Sequence, residues 1–164
     1  MPHRLPGLRA QETFYAHKGV SGGLFRFTLP AVLSLEDYMT AESADPASWD
    51  PTYDAVTAAP KHHKVIFENK NLRVLEVTLH PNDEEPIHHH RWPSVFVFDQ
   101  IAGPVHDIAP DGTQLPPRPD VMQALKAWNG EGCLVVQMTP QPLGRVHNGS
   151  TKTIHGIRIE MKSQ

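Results

Sequence analysis

The sequence predicts an all-β domain, and three observations carry that reading. Its 164 residues include 16 prolines spread along the whole chain, about twice the usual share of roughly 5%, which works against long helices. Apolar and polar residues alternate over short runs, as half-buried strands require. Turn signals such as Pro110-Asp111-Gly112 and Asn148-Gly149 separate these runs. A chain of this length suits one main domain, which can bury roughly 68–70% of its unfolded surface without staples.

The elements follow in chain order. Residues 1–60 read as an N-terminal extension and residues 61–164 as the main β domain. In the extension, Leu24-Phe25-Arg26-Phe27-Thr28 is a strand. Ser34-Leu35-Glu36-Asp37 resembles a capping box that opens a short helix through about Glu42. Residues 44–60 read as an ordered surface loop. Strands are expected over residues 63–68, 72–79, 94–99, 132–138 and 154–162. In the second of these, Arg73, Leu75, Val77 and Leu79 share a face; in the last, Ile157, Ile159 and Met161 look like the buried set. Residues 120–128 combine helix-forming composition with a position between two strands, and that position favours a strand.

Between Pro81-Asn82-Asp83-Glu84-Glu85-Pro86 and Val95-Phe96-Val97-Phe98 lie His88, His89 and His90. On a strand, His88 and His90 share one face and His89 takes the other. Two imidazoles on one face can converge on a metal ion. Ser94, Phe96 and Phe98 follow the parity of His88 and His90 and should point inward.

Composition excludes other classes. The formal net charge is −3 and no Lys/Arg run reaches five residues, so neither nucleic acid nor an anionic membrane is an expected partner. No run approaches the roughly 18 apolar residues of a membrane span. The single cysteine, Cys133, permits no intrachain disulfide and reads as a small buried residue. A cytoplasmic location is the plain expectation.

Residues 65–98 resemble the cupins, the small single-domain jelly-roll barrels, through Val65-Ile66-Phe67-Glu68-Asn69, Leu72-Arg73-Val74-Leu75-Glu76-Val77 and the segment ending in His90. The likeness extends over roughly residues 58–164. The first cupin motif is a glycine, five residues, His-x-His, three or four residues, then a glutamate. Here Asn82 stands at the glycine, His88 and His90 at the histidines, and Ser94 or Val95 at the glutamate, so the motif is incomplete. The second motif, Pro-x-Gly-x-x-His, three residues, Asn, matches Pro142-Leu143-Gly144-Arg145-Val146-His147, with Thr151 at the asparagine. A rival alignment anchors on Asn148 and puts Gly144 where the histidine belongs. The first is preferred because it keeps a Pro-x-Gly turn before the histidine.

The resemblance implies a jelly-roll barrel whose metal ligands would be His88, His90 and His147, around Zn, Fe, Mn or Ni. Three neutral histidines leave the full charge on the metal, which suits Lewis-acid or water-activating chemistry. His155 shares the parity of Ile157 and is read as inward-facing, either a satisfied core histidine or a catalytic acid/base. His106 is a weaker candidate for that role, and His62 and His63, between two lysines, read as a solvated strand start. The expected function is a metal-dependent enzyme acting on a small organic molecule in the barrel. The alternatives are a metal-free cupin that binds a small molecule or acts as an isomerase or cyclase, and a structural protein with a degenerate site.

The apolar residues Leu24, Phe25, Phe27 and Leu29 are too many for a free tail. The extension is therefore expected to cover a sheet edge of its own barrel or of a homodimer partner, since open edges invite aggregation. A chain shortened to begin near Ala58 should lose solubility or run as a monomer in size-exclusion chromatography. A stable dimer with unchanged melting would give the extension another purpose.

Overall fold

The computed structural model describes residues 45–162. The strand expected around Leu24 and the capping box at Ser34 lie outside these residues. The described chain runs through two 3-10 turns, Pro46–Ser48 and Pro51–Tyr53, a one-turn helix α1 (Ala55–Ala58), strands β1 (His63–Glu68), β2 (Leu72–Leu79), β3 (His88–His90), β4 (Ser94–Gln100) and β5 (Val105–Ile108), a helix α2 (Pro119–Ala127), then β6 (Leu134–Met138), β7 (Gln141–Asn148) and β8 (Ile154–Met161). No helix among them is long and apolar enough to cross a membrane.

The strands form a five-stranded sheet in the order β1-β2-β8-β4-β6 and a three-stranded sheet in the order β3-β7-β5. Their pairing is nested. β2 pairs β8, β3 pairs β7 and β4 pairs β6, all antiparallel, and β5 folds back onto β7. This is the strand order of a jelly roll, and the fold is all-β, as the cupin resemblance implies.

Register decides which residues face inward, because directly opposed residues of an antiparallel pair share a face. On β2, Arg73, Leu75, Val77 and Leu79 are buried. On β8 their partners are Glu160, Arg158, Gly156 and Ile154, and these are buried too. The expected parity of β8 is therefore reversed. Ile157 and Ile159 face outward, and His155 goes with them. Gly156 is required where β8 passes the Phe96–Phe98 stack: a Cβ there would collide with the Val97 carbonyl and lie 2.9 Å from the Phe96 ring. The apolar core lies on the inner face of the large sheet, around Leu75 and Val77 of β2, Phe96 and Phe98 of β4, and Leu134 and Val136 of β6.

Four other expectations change. Most of residues 120–128 are helical, in α2, with Trp128 as its C-cap, Pro119 in the first turn, Asp120 beside it and Lys126 in the last turn, a favourable arrangement of charge and proline. Val121 and Ala124 of that helix pack on the core. Pro142 and Gly144 sit inside β7 rather than in a turn. Pro142 falls beyond the stretch of β7 that pairs with β5, so its missing N–H interrupts no bond on that side. Cys133 is exposed. Residues 45–60 are three capped turns rather than a loop. Asp45, Asp50 and Asp54 each accept a bond from the amide two residues on, at 3.0, 2.9 and 3.2 Å.

The last of these turns is tied into the sheet. Arg73 Nη1 and Nη2 donate to Asp54 at 2.8 and 3.2 Å, and Arg73 Nε donates to Glu160 at 2.6 Å. All three residues are buried. A chain beginning at Asp45 rather than Ala58 is thus the one that isolates the N-terminal segment, since it keeps Asp54.

Removing one partner of a buried ion pair leaves the other charge unpaired, at a cost of roughly 3–5 kcal/mol. Arg73→Met should therefore lower stability by about that amount in chemical denaturation. Lys64→Ala breaks the exposed Lys64–Glu76 pair (3.2 Å) and should cost only about 0–1 kcal/mol. Equal losses in the two variants would contradict the structural role given to Arg73.

Candidate metal centre

Three histidines from two strands meet inside the domain. His88 and His90 come from the shared face of β3, while His89 turns away, its Nε2 2.8 Å from the Asp50 carbonyl and its ring 5.3 Å from that of Trp49. His63 opens β1 opposite Val77, an inward position, and is only 4% exposed. The ring centroids lie 4.7 Å apart for His63 and His88, 5.0 Å for His63 and His90, and 5.1 Å for His88 and His90. One ring nitrogen from each lies within 4.8 Å of the other two.

The outward-turned nitrogens are all spoken for. Nδ1 of His63 lies 3.3 Å from the Ala59 carbonyl, Nδ1 of His88 lies 2.8 Å from the Pro86 carbonyl, and Nδ1 of His90 lies 2.6 Å from the Glu160 carboxylate. Oxygens of these kinds accept, so each Nδ1 carries the proton and each Nε2 keeps a lone pair. This is the tautomer and the outer support that metal-binding histidines use. Burial also keeps the rings neutral. It holds His88 down at about 4 and His63 and His90 well below the usual imidazole range.

A carboxylate faces the same place. Glu85 is buried, with Oε1 3.8 Å from His63 Nε2 and Oε2 3.9 Å from His88 Nε2. Burial pushes its pKa up to about 8. Its backbone N–H donates to the Val146 carbonyl at 3.0 Å, which fixes the segment before β3 against β7. Asn82, at the glycine position of the first motif, has φ of 62°, a left-handed conformation that asparagine tolerates better than other side-chain-bearing residues. At the glutamate position, Ser94 is fully buried with its hydroxyl unpartnered. It stands opposite Glu160 in the β4–β8 pair, so the neighbouring strand brings a carboxylate to that corner of the interior.

The remaining candidates fall elsewhere. His147 does not join His88 and His90. Val146 lines the interior, so the next residue on the strand points away, and the His147 ring stacks on His106 with centroids 5.8 Å apart. The rival alignment describes β7 better: Gly144 lies opposite His88, and Asn148 is fully buried, its amide donating to the carbonyls of Leu79, His80 and Lys152. His155 faces outward between Asp99 (2.6 Å) and Glu76 (3.7 Å), because β8 turns its Ile154, Gly156, Arg158, Glu160 face to the interior. Lys61 and Lys64 mask His63 in the sequence; the signal that could have found it is its register opposite Val77.

The histidines line a cavity of about 450 Å³, within the range of small-molecule sites. Its other walls are mostly apolar, from Val77, Leu79, Phe98 and Met138, with Val121 and Leu125 of α2 on one side. Arg158 also lines it.

No protein-family model matches the chain, and no curated protein does. Among solved structures, the chain is similar to a cupin domain from Bordetella pertussis Tohama I, with 22% identity over 62% of this chain and 92% of that one and a TM-score of 0.44. It is also similar to an RmlC-like cupin protein from Desulfovibrio desulfuricans, with 14% identity over 69% and 95% of the two chains and a TM-score of 0.33.

The tautomers are testable without any ligand. Long-range proton–nitrogen spectra of the metal-free protein at pH 7 should show His63, His88 and His90 as neutral rings protonated at Nδ1. His88 should begin to charge only as the pH falls toward about 4. Nε2-protonated rings would contradict the lone-pair arrangement.

Proposed function

We propose that His63, His88 and His90 hold a divalent first-row transition metal and that the domain is a small metal-dependent enzyme acting on an organic molecule in the adjoining cavity. The observation that supports this best is the set of three Nδ1–H groups tied to oxygens, which leaves three Nε2 lone pairs unused inside the domain. A neutral three-imidazole set suits Zn, Fe or Ni, and an oxygen ligand beside it would help Mn; the bound ion would supply Lewis-acid or water-activating chemistry.

The chain's own residues have distinct roles in this reading. Glu160 and the Pro86 and Ala59 carbonyls orient the rings. Glu85 stands beside His63 and His88; burial favours its protonated form, so it can give a proton to a molecule held in the cavity, and once a bound cation favours its ionised form it can complete the ligand set. The apolar walls keep water away from the reacting group, which strengthens every polar contact within. His147 and His155 have no part in the centre.

Elemental analysis of protein grown in metal-replete medium should find close to one equivalent of a single transition metal. His63→Ala and the double variant His88→Ala/His90→Ala should each lose it while keeping the native circular dichroism. His147→Ala should bind metal as the wild type does in a competitive chelator titration. Wild-type protein with well under a tenth of an equivalent would sink the metal reading and leave a metal-free binding cavity. Loss of metal in His147→Ala but not in His63→Ala would restore the sequence-based ligand set.

A further inference from the structure

One cation in the cavity has no counterpart in the reading above. Arg158 rises from the middle of β8, between Leu75 of β2 and Phe96 of β4. It is 3% exposed and lines the same cavity as the three histidines. Neither its Nε nor its Nη2 has a hydrogen-bond partner. Leaving buried donors unmet is costly, more so on a charged group.

Glu85 and Asp107 line the same cavity, but burial raises the pKa of both, which favours their neutral forms, and the carboxylates of Asp54 and Glu160 are committed elsewhere. Arg73 takes both oxygens of Asp54 and Oε2 of Glu160, and His90 takes Oε1 of Glu160 at 2.6 Å. That Oε1 lies 3.7 Å from Arg158 Nε, too far for a hydrogen bond. The Phe96 ring, 5.9 Å from the guanidinium carbon, supports the group from one side without satisfying its N–H bonds. Arg118, also at the cavity wall, is occupied by Asp120 at 3.1 and 2.7 Å.

We propose that Arg158 anchors the carboxylate of a small, largely apolar organic acid, with Nε and Nη2 forming a two-point contact and the rest of the molecule lying along the apolar walls toward the histidines. The inference deepens the proposed function by naming its substrate class, and it rests on reading the cavity as the substrate chamber. The Nε–Nη2 edge of a guanidinium matches the spacing of two carboxylate oxygens. A monoanion fits better than a phosphate. One arginine balances one negative charge, and Val77, Leu79, Phe98 and Met138 offer no donors for further oxygens.

The test is calorimetric binding to the full-length, metal-loaded protein. The probes are benzoate, phenylacetate and hexanoate, each against its neutral amide, with phenyl phosphate as a separate arm. At least one acid should bind tighter than its amide by roughly tenfold to a hundredfold, as expected for charged hydrogen bonds at a buried site. Arg158→Gln and Arg158→Met should abolish that preference, while Arg158→Lys keeps part of it. The metal-free His88→Ala/His90→Ala variant separates this inference from the metal reading. A preference that survives there and disappears with Arg158 supports the anchor whatever becomes of the metal. A preference lost there but kept in Arg158→Gln assigns the anion to the metal and overturns the proposal. Equal binding of acid and amide, no binding of any acid at millimolar concentration, or tighter binding of phenyl phosphate than of every acid would overturn it as well. Metal content and melting temperature, measured on each sample, confirm that Arg158→Met, close to isosteric, remains folded.

Discussion

The structure depends on one carboxylate. Glu160 is fully buried on β8, and its two oxygens are held at 2.6 Å by Arg73 Nε and at 2.6 Å by His90 Nδ1. Through Arg73 it reaches Asp54, which caps α1 and bridges to His89. One side chain therefore links the large sheet, the small sheet and the segment that precedes β1. A buried carboxylate is tolerable only if its lone pairs are met by donors. Here each donor belongs to a different element, so the elements are held in one arrangement.

That arrangement splits the interior in two. Toward β6 it is an ordinary apolar core, with Leu134 and Val136 almost fully buried and the rings of Phe96 and Phe98 stacked 3.8 Å apart. Toward β3 it is polar, yet nearly free of mutual repulsion because burial keeps His63, His88 and His90 neutral. Neutral imidazoles can crowd to centroid distances near 5 Å, where imidazolium ions could not. What makes the site dry also makes its nitrogens available as lone pairs.

Much of the fold was legible in the sequence, because most strands are short alternating runs bounded by turn residues. β1 and β2 fall where alternation puts them, and the inward set of β2 is right down to Arg73. The face of β8 was misread for a physical reason. Alternation assigns the apolar set to the interior, but the large sheet carries apolar residues on both faces. Val65, Phe67 and Val135 stand exposed at 39%, 53% and 54% on its outer strands, while Arg158 and Glu160 face in. Where an interior is built to hold charge, polarity along one strand points the wrong way, and only pairing to a neighbour of known face corrects it. The same holds for His63, hidden between lysines in the sequence and turned inward by its register with Val77. In α2 helix propensity outweighs the position between two strands, and Pro119 in its first turn is the signal for it.

Two buried ionisable groups, Glu85 and Arg158, line the cavity. Glu85 is a carboxylate that burial pushes up to about 8, and Arg158 is a guanidinium that burial brings down to about 10. Each shift records a charged form held without enough compensation. No ion pair joins them among the described residues, and near neutral pH Glu85 is largely protonated while Arg158 keeps its charge. Glu85 lies against the histidine nitrogens, where a cation would satisfy it. Arg158 lies among apolar walls, where an anion would. A guanidinium with unmet donors and a carboxyl group held neutral by burial both cost stability in the empty protein. In the reading proposed above, a metal ion beside Glu85 and an organic acid on Arg158 would offset that cost, so the fold would trade stability in the empty chain for complementarity to its occupants.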